Sequence, residues 1–178
     1  MRATSNLIKR KAARIKLLLL DVDGVLTDGR IVYDSCGRDM KFFDVRDGLG
    51  VFVLKRVGIK TVLITAKASG SIRPRARDMQ VDEVIEGVFP KSRVFAGLLK
   101  KHRLTPEEVC FVADDLVDLS LIKRVGLAVA VANATHEIKK EADYITKKEG
   151  GRGAVREVVE LILKSQKKWK DVLSFYDV

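Results

Sequence analysis

The feature that most restricts this chain is a run of four leucines, Leu17 to Leu20, that ends abruptly in Asp21-Val22-Asp23-Gly24. A segment apolar at every position suits a strand covered on both faces, as strands of a parallel sheet are, and the strand is read over Lys16 to Val25. Carboxylates directly after such a run fall at its carboxyl end, the edge where open parallel sheets bind ligands. The run is also too short and too soon interrupted to be a membrane span or a leader core.

The rest of the chain repeats the plan. Lys60 to Thr65, Val109 to Ala113 and Leu127 to Val131 read as buried strands, with shorter ones at Val84-Ile85 and Tyr144-Ile145. Helical spacing fills the gaps: a segment from Gly48 to the stop at Gly58, and Ser69 to Met79, where Pro74 demands a kink or a late start. Lys91 to His102, Leu116 to Val125 and Thr135 to Glu141 follow, with a capping box at Thr105-Pro106-Glu107-Glu108. Residues 30–45 hold two alternating runs, Arg30 to Tyr33 and Met40 to Val45, split by Asp34-Ser35-Cys36-Gly37, the pattern of a projecting β-hairpin. Strands alternating with helices imply an α/β sandwich around a parallel sheet. We read residues 1–178 as one domain, with a basic surface helix in 1–15 and one long amphipathic helix over 154–176.

Hydrophobic residues make up 47% and charged residues 33% of the 178, which excludes a disordered chain. Two cysteines cannot frame a fold, so a soluble protein of the reducing cytoplasm is expected. His102 and His136 read as isolated surface residues. The formal charge of +10 favours anionic partners. A nucleic acid is one such class, motivated by Lys9-Arg10-Lys11, but a charge run without interleaved aromatics reads better as a solvated face.

Three strands are expected to end in polar residues at one edge: Asp21 and Asp23, then Thr65, then Asp114 and Asp115 with Asp118 beyond. Lys91 opens the helix between the second and third. So many carboxylates in one place raise one another's pKa or need a cation. An all-oxygen set without His or Cys suits a hard ion, Mg²⁺ best when phosphate is also present. Asp28, Asp34 and Asp143 are better read as turn and cap residues.

Asp21-Val22-Asp23-Gly24-Val25-Leu26-Thr27-Asp28-Gly29 resembles the first motif of the haloacid dehalogenase-like phosphatases. Thr65 resembles their second, Lys91 their third and Asp114-Asp115-Leu116-Val117-Asp118 their fourth. The resemblance implies a Rossmannoid three-layer sandwich. It makes Asp21 the nucleophile that forms an aspartyl phosphate, and Asp23 the general acid and base. Asp21, the backbone carbonyl of Asp23 and Asp114 would hold Mg²⁺, and Thr65 and Lys91 would stabilise the transferring oxygens. Asp115 and Asp118 would orient these groups. A phosphotransfer receiver domain shares an acidic pair, a Thr and a Lys, but is shorter and lacks the hairpin.

Residues 43–50, Phe43-Asp44-Val45-Arg46-Asp47-Gly48-Leu49-Gly50, and the segment Gly150-Gly151-Arg152-Gly153-Ala154-Val155-Arg156-Glu157 are similar to signatures of the 3-deoxy-D-manno-octulosonate 8-phosphate (KDO 8-phosphate) phosphatase family. So is the small hairpin in place of a cap domain. That resemblance implies a sugar acid phosphate substrate in lipopolysaccharide synthesis. It also implies a homotetramer in which a neighbouring subunit covers each site, and substrate contacts from Arg46, Lys67, Arg75 and Arg152. Arg152 reads equally well as a loop residue at a helix start. Three departures stand out. Thr65-Ala66-Lys67 replaces the usual Thr-Gly-Arg, which opens the alternative of a nine-carbon sialic-acid-type substrate. Ala113 replaces Gly before Asp114, and the basic C-terminal helix runs long.

Overall fold

The computed structural model describes residues 2–177; Met1 and Val178, the ends of the expected domain, lie outside the described residues. In chain order its strands are β1 (Leu17–Leu20), β2 (Val32–Tyr33), β3 (Asp39–Met40), β4 (Lys60–Ile64), β5 (Glu83–Ile85), β6 (Val109–Ala113), β7 (Leu127–Ala130) and β8 (Tyr144–Ile145). The helices are α1 (Arg2–Ala12), α2 (Val45–Arg56), α3 (Ile72–Asp78), α4 (Phe95–His102), α5 (Leu119–Ile122), α6 (His136–Glu141), α7 (Ala154–Ser165) and α8 (Trp169–Ser174).

Six strands form one parallel sheet in the order β5-β4-β1-β6-β7-β8, and β2 pairs with β3 in a separate antiparallel hairpin. Each leucine of β1 is 0% exposed, as its uninterrupted apolar pattern requires. Helices flank the sheet. α2 and α1 pack on α7, whose Val155, Val158, Val159, Ile162 and Leu163 are buried at helical spacing. After β1 the chain runs outward through β4 and β5, then returns to β6 on the other side. The ends of β1, β4 and β6 therefore flank a topological switch point, where such sheets open a crevice.

Several sequence boundaries move, each for a local reason. The second helix begins at Val45 rather than Gly48, because the Asp44 carboxylate accepts the Arg46 N–H at 2.7 Å and caps it. The third starts late, with Pro74 as its third residue, where its missing N–H costs nothing. The stretch from Lys91 opens as a 3₁₀ turn (Lys91–Val94), and the one from Leu116 as another (Leu116–Asp118), leaving α5 only four residues. The expected capping box forms, with Glu108 accepting the Thr105 N–H at 2.9 Å. His102 is no surface residue: its side chain is 7% exposed, between Lys60 and Glu83.

The largest correction is the C-terminal helix, which is not continuous over 154–176. It stops at Ser165, Lys167 takes a left-handed φ of 60°, and the Lys168 N–H closes onto the Leu163 carbonyl. The Gln166 side chain donates to the carbonyls of Ile15 (2.7 Å) and Ala12 (3.3 Å), fixing the end of α7 beneath α1. The turn lays Trp169 against the cations of Arg156 and Lys164.

Candidate active site

A cleft of about 260 Å³ opens at the carboxyl ends of β1, β4 and β6, lined by Asp21, Asp23, Gly29, Thr65, Ala66, Lys67, Lys91, Asp114, Asp115 and Val117. The loop after β1 is folded by its own residues. Thr27 Oγ1 accepts the N–H groups of Gly24 (3.2 Å) and Gly29 (3.3 Å), drawing the chain into a tight turn. Gly24 has a φ of 89°, and a Cβ there would lie 1.9 Å from Asp114 Oδ2. The glycine is what lets the first and fourth motifs touch. Gly150 is wedged in from the other side, where a Cβ would lie 1.7 Å from the Gly24 carbonyl oxygen.

Lys91 anchors the site. Its side chain is 0% exposed, and its ammonium donates to Asp21 Oδ1 at 2.5 Å and Asp118 Oδ1 at 2.6 Å. The second Asp118 oxygen accepts the Asp114 N–H at 3.2 Å. Asp21, Asp114 and Asp118 each offer one oxygen to a cluster whose members lie within 4.8 Å of one another. Burial pushes the Asp21 carboxyl up to about 6, with Asp118 adding to the shift and Lys91 opposing it. Burial and then the charge of Asp21 push Asp114 up to about 8. Asp118 is raised too, by burial against the pull of Lys91. Burial works against the Lys91 ammonium, but Asp21 and Asp118 outweigh it and hold the charge.

Three carboxylates facing one ammonium leave the cluster short of positive charge. Asp114 Oδ1 is buried with no hydrogen-bond partner. A hard divalent cation would satisfy that oxygen and lower the carboxyl pKa values at once. The donor set fits one.

The other expected residues divide. Thr65 is 2% exposed, and its hydroxyl donates to the Lys67 carbonyl (3.1 Å) and accepts the Lys67 N–H (3.2 Å), closing the turn after β4 over the cleft. Asp115 lies at the mouth, its carboxylate accepting the Leu116 N–H at 2.7 Å. Arg46, Arg75 and Arg152 do not line the cleft of the single chain. Arg46 forks onto Asp44 and donates to the Arg152 carbonyl at 3.2 Å, while the Arg152 guanidinium pairs with Asp28 at 3.2 Å. Arg75 donates to the Asp44 carbonyl at 2.9 Å and stacks over Phe43, which makes it a brace for the start of α2.

Two residues escaped the sequence reading. Asp47, 1% exposed, accepts the N–H groups of Gly153 (3.2 Å) and Arg156 (2.8 Å) and so caps α7 from α2. Lys41 reaches from the hairpin to Asp23 at 2.5 Å. A lysine set among Met40, Phe42 and Phe43 was the available signal for it.

A parallel sheet carrying an aspartate pair on its first strand, with lysine and further aspartates converging from later ones, defines the haloacid dehalogenase-like hydrolases. The model of that family, described as haloacid dehalogenase-like hydrolase, matches residues 76–158. Among curated proteins, 3-deoxy-D-manno-octulosonate 8-phosphate phosphatase KdsC of Escherichia coli K12 is 42% identical over 158 residues, 89% of this chain and 84% of its own. The crystal structure of the same phosphatase from Moraxella catarrhalis, in complex with magnesium, phosphate and KDO, superposes with a TM-score of 0.93 at 40% identity, covering 96% of this chain and 98% of that one. The cobalt-bound Haemophilus influenzae phosphatase superposes with a TM-score of 0.85 at 36% identity, covering 89% and 92%. This chain belongs to the KDO 8-phosphate phosphatase family. Among the described residues no helix is long and apolar enough to cross a membrane.

Proposed function

We propose that the protein hydrolyses KDO 8-phosphate to the free sugar acid and inorganic phosphate, with Mg²⁺ as cofactor. The observation that carries the reading is the buried Asp21–Lys91–Asp118 triad with Asp114 beside it and Asp23 facing the same cleft. Asp21, Asp114 and the backbone carbonyl of Asp23 would hold the ion, which when bound neutralises the phosphate and the carboxylates around it.

An Asp21 carboxylate oxygen attacks phosphorus in line, forming an O–P bond as the bond to the sugar oxygen breaks. Asp23 delivers a proton to that departing oxygen, leaving an aspartyl phosphate. Asp23 then takes a proton from a water whose oxygen attacks phosphorus, and the bond to Asp21 breaks. Lys91 and the turn at Thr65 supply fixed positive charge and donors to the phosphoryl oxygens in both steps. Asp118 keeps Lys91 in register, and Asp115 serves at the mouth.

A cleft this open needs a cover to exclude water. The hairpin region exposes Ile31, Tyr33, Met40, Phe42 and Val45, which supports a homotetramer built on these residues, with a neighbouring subunit closing each site. In that assembly Arg46 and Arg152, outside the cleft of the single chain, meet the sugar acid carboxylate. The product is the inner-core sugar of lipopolysaccharide, made in the cytoplasm.

Lys67 lines the cleft where an Arg is usual, which favours a second reading, a nine-carbon sialic-acid-type phosphate. Phosphate release from eight- and nine-carbon sugar acid phosphates decides between them. The proposal expects the largest kcat/KM for KDO 8-phosphate. A larger value for the nine-carbon acid would select the second reading, and no turnover of either would end both.

A further inference from the structure

Two aspartates two positions apart face one cleft, and each is held by its own lysine. Asp21 is gripped from inside the fold by Lys91; Asp23 is met from outside by Lys41, the residue that follows β3. The Lys41 side chain is only 7% exposed, although the hairpin that carries it is small and largely solvated. Burying an ammonium costs several kcal/mol unless an anion meets it. Here the anions are Asp23 Oδ1 at 2.5 Å and Asp39 Oδ2 at 3.5 Å. The Asp23 side chain, by contrast, is 38% exposed, and among the described residues Lys41 is the one side chain that hydrogen-bonds to it.

We propose that Lys41 is a positioning residue for the reaction: it fixes the Asp23 carboxylate in the rotamer that addresses the leaving oxygen. A free aspartate at a cleft mouth samples several rotamers, and a proton can be delivered only from within hydrogen-bond reach. Lys41 occupies Oδ1 and leaves Oδ2 to face the substrate. It also makes the site depend on the hairpin, whose body is otherwise tied to the cleft by Ser71 Oγ on the Asp39 carbonyl (3.4 Å) and by Lys67 over the Tyr33 ring. A small cavity of about 110 Å³ between the hairpin and the first loop is lined by both Asp23 and Lys41, so the contact borders the space beside the reacting centre.

The inference rests on reading Asp23 as proton donor and acceptor, and its test separates the two. Lys41→Met, Lys41→Gln and Lys41→Arg are compared with wild type in the full-length, Mg²⁺-loaded protein on two substrates. KDO 8-phosphate has an alkoxide leaving group that needs a proton; p-nitrophenyl phosphate has one that does not. The uncharged variants are expected to lose at least ~30-fold in kcat on the sugar phosphate with KM within about threefold. The first burst of nitrophenolate is expected within about threefold of the wild-type rate, followed by slowed turnover, since Asp23 still has to activate water. Lys41→Arg is expected to recover most of the loss. Sugar phosphate turnover within twofold of wild type in Lys41→Met would overturn the proposal. So would an equal slowing of burst and turnover, or an uncharged variant that does not fold, either of which would make Lys41 a brace for the hairpin alone. A wild type inactive on both substrates would overturn the reading beneath it.

Discussion

Replacing Lys91 by Met removes the one ammonium from a fully buried triad and leaves Asp21 and Asp118 facing each other. Breaking a buried ion pair from one side costs about 3–5 kcal/mol, because the abandoned charge stays desolvated. In a chain of this size, each kcal/mol moves the unfolding midpoint by roughly 2–4 °C, so a drop of roughly 6–20 °C is expected. The loss has a pH signature. With Lys91 absent the main opposition to burial is gone, so both carboxyls rise further and keeping them ionised costs more as pH increases. The deficit is therefore larger at pH 8. Mg²⁺ at a hundredfold its Kd returns about 2.7 kcal/mol if the variant still binds it. Turnover, lacking its fixed cation, falls by at least ~10²-fold. Urea and thermal unfolding followed by circular dichroism at pH 5 and pH 8, with and without Mg²⁺, reads the stability, pH and metal effects, and phosphate release reads the turnover. A loss under about 1 kcal/mol at pH 8 would refute the reasoning, as would a loss that is the same at both pH values.

Three further outcomes follow from the same geometry. Asp21 and Asp114 have folded pKa values near 6 and 8 against 3.8 unfolded, so the folded state binds more protons between pH 4 and pH 8. The metal-free protein should therefore lose stability as pH rises through that window, and saturating Mg²⁺ should flatten the slope; unfolding midpoints across pH in EDTA and in Mg²⁺ check it. Gly24→Ala places a methyl 1.9 Å from Asp114 Oδ2 at a φ of 89°, so calorimetric titration should find Mg²⁺ affinity reduced at least ~tenfold, together with a stability loss of about 1–2 kcal/mol. Lys67→Arg should shift the ratio of kcat/KM between eight- and nine-carbon sugar acid phosphates by about fivefold or more while leaving the Mg²⁺ requirement intact, read by phosphate release.

The sheet was legible in the sequence because its strands are apolar on both faces: β6 and β7 end at or within one residue of the expected positions, whereas β1 stops not at Val25 but at Leu20, where the carboxylates begin and the chain turns. The site was legible because carboxylates after such strands share one edge. What the sequence concealed was set by distant contacts. The end of α7 depends on Gln166 reaching α1, and nothing in the local apolar stripe of 154–176 announces that partner. The start of α2 depends on Asp44, which alone could equally be a turn residue. Which group Asp118 serves is not written in its motif: it is 0% exposed and shares Lys91 with Asp21, a contact that only the register of the 3₁₀ turn before α5 creates. Arg75 donates to the Asp44 carbonyl at the start of α2 in the single chain, a partner that nothing in the sequence around Pro74 announces. Helical period cannot tell the cleft side of a short helix from its neighbour.

On the proposed mechanism Asp21 itself takes up the phosphoryl group while its neighbours only serve it. Rapid acid quench of the Mg²⁺-loaded protein during KDO 8-phosphate turnover, followed by peptide mass spectrometry, addresses that residue by name. The account expects a peptide heavier by one phosphoryl group on Asp21, gone after hydroxylamine treatment and never formed in Asp21→Asn. Full turnover by Asp21→Asn, or the added mass on any other residue, would contradict it.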